Sequence, residues 1–185
     1  YRHSKLTGLI DDTDTSILSN ITTIKIRKSF TPTLASSTKY DIYFRNSLFN
    51  PHSGHNSAAG GILSSTGFKV TGSDFEMFLD DDGNGNVRRY YLSSGIRTYA
   101  NETQGTIDYA TGQITLNSLN VASISNIRGA TSTIIELTVT PNSNDVVPVR
   151  DQIVELDIAN SNITVTADTF VGGSADAGVG YTTTS

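Results

Sequence analysis

The 185-residue chain contains no cysteine, which excludes disulfide bonds and thiolate metal sites. Charged residues are also scarce, at 17% against about 25% in an average soluble domain. No apolar run approaches the roughly 20 residues with which a helix crosses a bilayer. A net charge of −5 opposes general electrostatic attraction to nucleic acid or to an anionic membrane. We therefore expect neither of these as a partner.

Serine, threonine, asparagine and glycine take the place of the missing charged residues. A polar, hydroxyl-rich chain of this kind is typical of extracellular or virion proteins. Its length suits one compact domain, which buries roughly 70% of the surface of the unfolded chain. The chain begins at Tyr1 without a charged and then apolar leader, and we expect it to be an internal part of a larger protein.

Alternation of apolar and polar residues with a period of two is the main structural signal, and it predicts many short strands. The predicted strands lie at residues 24–26, 40–44, 68–70, 75–79, 87–92, 106–109, 113–116, 133–139, 153–158 and 163–166. Clusters of Gly, Asn, Ser and Pro separate them. The pattern predicts a mainly β fold of antiparallel sheets, arranged as a sandwich or a barrel-like structure with β-hairpins.

Only two short segments favour a helix. Residues 12–16 resemble a helix N-cap ahead of Ile17 and Leu18, and residues 119–127 end before Gly129. We accordingly predict an N-terminal segment with a short helix at 1–20, which continues from an upstream region. A β-rich domain follows at 21–171, and a flexible linker or tail at 172–185.

Two hairpins are predicted, at Phe75–Leu92 and Gly105–Leu116. The second turns at residues 110–112, where Gly112 supplies a positive φ. The turn of the first hairpin reads Asp-Asp-Asp-Gly-Asn-Gly-Asn at Asp80–Asn86, and we call this segment the acidic loop. We expect Gly83 or Gly85 to have a positive φ there.

The acidic loop also matches the first six positions of a calcium-binding loop. Asp80, Asp82 and Asn84 stand two apart, and Gly85 occupies the sixth position. The twelfth position, which should be a bidentate glutamate, is Tyr91, and strands rather than helices flank the loop. We therefore interpret the acidic loop as a hairpin turn and expect no metal in it.

Other chemical constellations are weak. His52 and His55 have a spacing that zinc sites use, but no further ligands are near, and an exposed loop is the better interpretation. The segment Arg88–Tyr91 is similar to a platform for single-stranded nucleic acid, although alternation places one cation and one ring on each face. No nucleophile motif is present, and a pair of cleft carboxylates for glycan cleavage is visible only in a structure. We predict no catalytic residue, no cofactor and no small-molecule substrate.

Four segments together resemble the baseplate wedge proteins of contractile-tailed, T-even-like phages. They are Leu79–Leu92, Gly105–Leu116, the stretch Asp12–Asn20 leading into Ile24–Lys28, and Pro148–Asp157. The resemblance covers most of the chain from Leu9 to Asp168 and is strongest to the C-terminal part of the gene-product-six family of wedge subunits.

The resemblance implies a structural virion protein that is assembled in the host cytoplasm and is not an enzyme. Copies in that family dimerise and join into a ring around the tail hub, and the ring changes diameter when the sheath contracts. The implied partners are further copies, neighbouring wedge subunits and the central hub, and the family has no catalytic or metal-binding residues to carry over. The alternative is a calcium-dependent extracellular adhesin or carbohydrate-binding β-module. The absence of tryptophan, the usual sugar-stacking residue, counts against that alternative.

Overall fold

The computed structural model describes residues 1–54, 60–147 and 155–166. The chain divides into two compact units, Tyr1–Gln152 and Ile153–Ser185. In the second unit the described residues contain one short 3-10 helix, Ile158–Asn160. The predicted boundaries of the β-rich domain at 21–171 stay a prediction. No helix among the described residues is long and apolar enough to span a bilayer.

The first unit is mainly β, as predicted. Among its described residues, one helix, α1 (His3–Asp11), precedes ten strands. The strands are β1 (Ile26–Phe30), β2 (Thr38–Tyr43), β3 (Ser64–Ser65), β4 (Phe68–Val70), β5 (Met77–Asp81), β6 (Asn86–Ser93), β7 (Ile96–Asp108), β8 (Gln113–Leu119), β9 (Val121–Ile124) and β10 (Ile135–Val139). They form a three-stranded sheet, β1-β10-β3, and a curled seven-stranded sheet, β2-β8-β7-β6-β5-β4-β9. Every pairing between neighbouring strands is antiparallel.

The two sheets share one apolar core. Alternate residues of the strands supply it, because successive side chains of a strand point to opposite faces. Leu79 on β5, Leu116 on β8 and Leu137 on β10 are completely buried. Burial of each such side chain contributes about 1.5–3 kcal/mol. The core therefore holds both sheets in place.

Both predicted hairpins are confirmed. β5 and β6 pair from Met77 opposite Tyr91 to Asp81 opposite Val87, and the acidic loop connects them. β7 and β8 pair up to Asp108 opposite Gln113. Gly112 has a φ of +69°, as the turn requires.

The short helix predicted within residues 1–20 is present, but it lies ahead of the predicted cap, and the second predicted helix is wrong. Residues 12–20 form no helix, because the Asp14 carboxylate accepts a hydrogen bond from the Ser16 amide at 2.8 Å and closes a local turn. The helix lies just before this segment, as α1. Residues 121–124 of the second segment form β9, where Val121 is buried opposite Val70. A local turn thus decides the first place, and tertiary packing overrides local propensity at the second.

The structure also differs from the prediction at the last two predicted strands, 153–158 and 163–166. Residues 163–166 lie in no strand, and Ile158 begins the 3-10 helix. Ile163 is 89% exposed, and a strand without a neighbour is not stable. Residues 153 and 154 lie outside the described residues. In contrast, β7 is much longer than the predicted 106–109, since residues 96–105 extend it without a clear apolar alternation.

Gly112 is expected to tolerate alanine poorly. A Cβ there would collide with the carbonyl oxygen of Asn46, whereas one at Gly95, where φ is +80°, has nothing within 4 Å. Both alanines incur about 1–2 kcal/mol for a left-handed backbone, and a collision in packed structure adds about 1–3 kcal/mol. Urea denaturation should show a distinctly larger loss of stability for Gly112→Ala than for the control Gly95→Ala. Equal losses would contradict the close approach to Asn46.

Candidate functional site

The acidic loop turns the chain tightly between β5 and β6. Gly83 and Gly85 both have positive φ, +73° and +103°. The Asp82 carboxylate accepts hydrogen bonds from the Asn84 amide at 2.8 Å, the Asn86 amide at 3.0 Å and the Asn86 side chain at 2.6 Å. Partial burial raises the pKa of Asp82, but these hydrogen bonds outweigh it and the pKa lies below its ordinary value. Asp82 therefore stabilises the turn as an ionised acceptor.

Asp80 lies on the outer face of the seven-stranded sheet, the face away from the core, and only 1% of its side chain is exposed. Its Oδ1 accepts from Arg88 Nε at 2.9 Å, and its Oδ2 accepts from Arg97 Nη1 at 2.7 Å and from the Tyr99 hydroxyl at 3.0 Å. Burial raises the pKa of Asp80, and the hydrogen bond and charge of Arg88 oppose that rise. One buried carboxylate thus connects β5 with β6 and β7.

Aromatic rings surround the two arginines on this outer face. The guanidinium of Arg88 lies 4.2 Å from the centre of the Tyr99 ring, and that of Arg97 lies 4.7 Å from the centre of the Tyr90 ring. Phe78 packs on Tyr90 at 5.7 Å between ring centres. Each cation–π contact contributes about 0.5–1 kcal/mol at an exposed site and more when desolvated. The rings fix the guanidinium groups in the orientation that the carboxylate needs.

The segment Arg88–Tyr91 divides between two faces. Arg88 and Tyr90 belong to the outer face, and the Arg88 guanidinium is bound to Asp80. On the other face, the Tyr91 ring stacks on Phe75 at 4.4 Å. The segment therefore does not present a continuous row of cations and rings for stacking of successive bases.

Asp81 points to the core face of β5 and is completely buried. Its Oδ1 accepts from the amides of Ile62 and Leu63 at 2.7 and 2.8 Å. Its Oδ2 accepts from the Tyr109 hydroxyl at 2.6 Å and from the Gly83 amide at 3.3 Å. Burial and the hydrogen bond to Asp81 raise the pKa of Tyr109 far above its ordinary value. Asp81 thus connects β5 with the loop before β3 and with the β7–β8 hairpin.

The calcium-binding pattern does not predict the role of Asp81, because this residue occupies a position that supplies no ligand. The signal that could have identified Asp81 is the alternation of β5, since Met77, Leu79 and Asp81 share the buried face. A carboxylate at the third inward position requires dedicated donors. Gly61 leaves room for the Asp81 carboxylate, because a Cβ at residue 61 would collide with it.

The arrangement separates the residues that a calcium loop would bring to one ion. Asp80 is bound by arginines, Asp82 by amides of the turn, and Asn84 Oδ1 accepts from the Ser53 hydroxyl at 2.6 Å. Among the described residues, no group of three or more His, Asp or Glu side chains is placed to hold a metal ion. His52 is exposed, whereas His55 lies outside the described residues, so the prediction for this pair stays a prediction.

A shallow cleft of about 440 Å³ lies beside the acidic loop. Its lining residues are Asn50, Ser53, Gly83, Asn84, Gly85, Ile107, Asp108, Tyr109 and Ala110. Asp108 is the one carboxylate in this set. Its oxygens accept from the Ala110 amide at 2.9 Å and from the Thr111 hydroxyl at 2.6 Å. The lining of this cleft therefore lacks the two facing carboxylates that glycoside hydrolysis uses.

Comparison of the chain with protein-family models, with curated proteins and with solved structures found no match.

Asp80→Asn should destabilise the protein much more than Asp82→Asn. The first change leaves Arg88 without a counter-charge in a buried place, which costs about 3–5 kcal/mol when a buried pair is broken. The second retains an acceptor oxygen at a half-exposed turn and should cost about 1 kcal/mol. Urea denaturation of both variants measures the difference. Similar losses would mean that the ion pairs on the outer face contribute little.

Calcium should leave the thermal stability of the chain unchanged. The carboxylates of the acidic loop already accept hydrogen bonds from protein donors, and an ion would have to displace them. A site filled at a hundred times its dissociation constant adds about 2.7 kcal/mol. Thermal melts with calcium and with a chelator provide the measurement, and a reproducible rise in Tm with calcium would contradict this expectation.

Proposed function

We propose that this chain is a structural virion protein of a contractile phage tail, a baseplate wedge component. It associates with itself and contacts neighbouring wedge and hub proteins, and the resulting ring couples host attachment to sheath contraction. The main support for the proposal is the structural role of the acidic loop within the domain. This segment looks most like a ligand site, and it also contributes to the resemblance to wedge proteins. Its carboxylates bind other parts of the same domain.

The connections made by the acidic loop suit a subunit that moves as a rigid body. Asp80 and Asp81 link β5 to β6, β7, the loop before β3 and the β7–β8 hairpin. Large assemblies switch mostly by rotation of rigid subunits about their interfaces. A domain whose hairpin tip is bound on both faces transmits such a rotation without deforming.

The surface of the domain is consistent with assembly. Several large apolar side chains in the first unit are more than half exposed: Leu9, Leu18, Ile21, Leu34, Phe75, Leu92, Ile96 and Val147. Single exposed apolar residues are ordinary, but grouped ones mark contact surfaces. A stable ring contact needs about 1,000 Å² or more of buried surface. The proposal includes no catalytic role and no cofactor.

The calcium-dependent adhesin or carbohydrate-binding module is the rival proposal. It rested on the acidic loop, whose carboxylates have protein donors, and on a polar surface that both classes share. No further described feature favours it over the virion protein.

The proposal is tested by the location of the protein. An antibody against the chain should label the distal end of contractile tails in electron micrographs, and the protein should be found by mass spectrometry in purified tails. The gene should lie among tail and baseplate genes. Labelling of a bacterial surface, or secretion genes on both sides, would overturn the proposal in favour of the adhesin.

A further inference from the structure

The β6–β7 hairpin extends beyond its neighbours in the sheet. β6 pairs with β5 only as far as Tyr91, and β7 pairs with β8 only from Gly105 onward. We call the projecting part, residues 92–100, the arm. Within the described part of the chain, the strands of the arm pair only with each other.

The longer free edge of the arm lies on β7. Ser94 and Gly95, with φ of +52° and +80°, close a two-residue turn between Ser93 and Ile96. In an antiparallel ladder, alternate residues direct their backbone groups to opposite sides. Because Ser93 and Ile96 flank the turn and bond to each other, the backbone groups of Arg97 and Tyr99 point away from β6. Such an edge is a template for another strand.

The neighbouring strand β8 turns away from this edge for a local reason. Ser118 has a φ of +48°, which bends β8 beyond Leu116. The Gln104 side chain reaches the Asn117 carbonyl oxygen where the ladder would have continued. On β7 itself, Ala100 is the extra residue of a bulge, because Tyr90 pairs with Tyr99 and Arg89 with Asn101.

The charges along the edge fit a second copy of the same chain. Arg97 lies near one end of the edge, and the exposed Glu102 lies near the other, between the bulge at Ala100 and a second register shift. Antiparallel pairing of two identical edges brings each Arg97 toward Glu102 of the other copy, whereas parallel pairing opposes like charges. The Arg97 side chain is 39% exposed despite its contact with Asp80. Part of this side chain is therefore accessible to a partner, while Nη1 stays bound to Asp80.

The tip of the arm supplies apolar surface. Leu92 is 51% exposed and Ile96 is 71% exposed. Phe75, which stacks on Tyr91 at the start of the arm, is 56% exposed. Antiparallel pairing lays the tip of each arm along the base of the other, where Ile96 on β7 loses contact with water. A short edge alone would not hold two copies, and the apolar tip supplements it.

We propose that two copies of this chain associate through their arms, with the β7 edges antiparallel and a two-fold axis close to Ala100. This rests on the self-association in the proposed function and identifies its surface.

The test uses the absence of native cysteine from the chain. Ala100→Cys in the full chain places one thiol of each copy close to the axis, and a disulfide forms where the two Cα atoms come within about 4.4–6.8 Å. Mild oxidation should convert most of the protein into a covalent dimer. Ser29→Cys, at an exposed position on β1, is the matched control and should remain mainly monomeric on a non-reducing gel. Equal dimer formation by both variants would overturn the proposal.

A second pair of variants separates this proposal from the function it rests on. Light scattering should show a dimer for the unmodified chain, loss of the dimer for Ile96→Lys, and an unchanged dimer for Ile21→Lys. Ile21 is 98% exposed and lies outside the arm. If the unmodified chain and Ile96→Lys associate equally, the arm is not the interface, while the virion function stands. If the unmodified chain is monomeric at high concentration, the arm proposal fails, and antibody labelling of tails decides the function separately.

Discussion

Two adjacent carboxylates, Asp80 and Asp81, leave β5 in opposite directions, and both are buried. Removing two charges from water costs several kcal/mol for each ion, so both need several well-placed donors. Arginines and a tyrosine supply them on the outer face, and backbone amides with a second tyrosine supply them on the core face. This requirement fixes where the neighbouring elements lie. β6 and β7 supply the donors on the outer face, and the loop before β3 and the β7–β8 hairpin supply them on the core face.

This arrangement also determines the register of the hairpin. A slip of one residue would exchange the faces of Asp80 and Asp81 and leave both without their donors. The apolar residues of β5 oppose the same slip, since Met77 and Leu79 would move to the outer face. Polar and apolar side chains thus specify one pairing, and the polar ones contribute selectivity more than net stability.

Both hairpins and the mainly β class could be predicted from the sequence because their signals are local. Gly112 at a turn and the Gly-Asn repeat of the acidic loop act through backbone conformations that few other residues adopt. The strand at 121–124 could not be predicted, since its pairing with β4 joins residues about fifty positions apart. The partners of Asp81 could not be predicted either, because Ile62 and Tyr109 lie 19 and 28 positions from it along the chain. The calcium pattern is a spacing along the chain. In the folded sheet, the residues of that pattern bind different partners and do not converge on one point.

Hairpin tips are usually the first parts of a β protein to open, since few contacts hold them. Here the tip carries the carboxylates that bind the rest of the domain, so opening it would break those contacts as well. The free energy of local opening at Asp80–Asp81, where β5 enters the tip, should accordingly approach that of global unfolding. Amide protons near the tip would then exchange with solvent at the slow rate of the core, and proteases would find no easy cleavage point in a loop that looks exposed and glycine-rich.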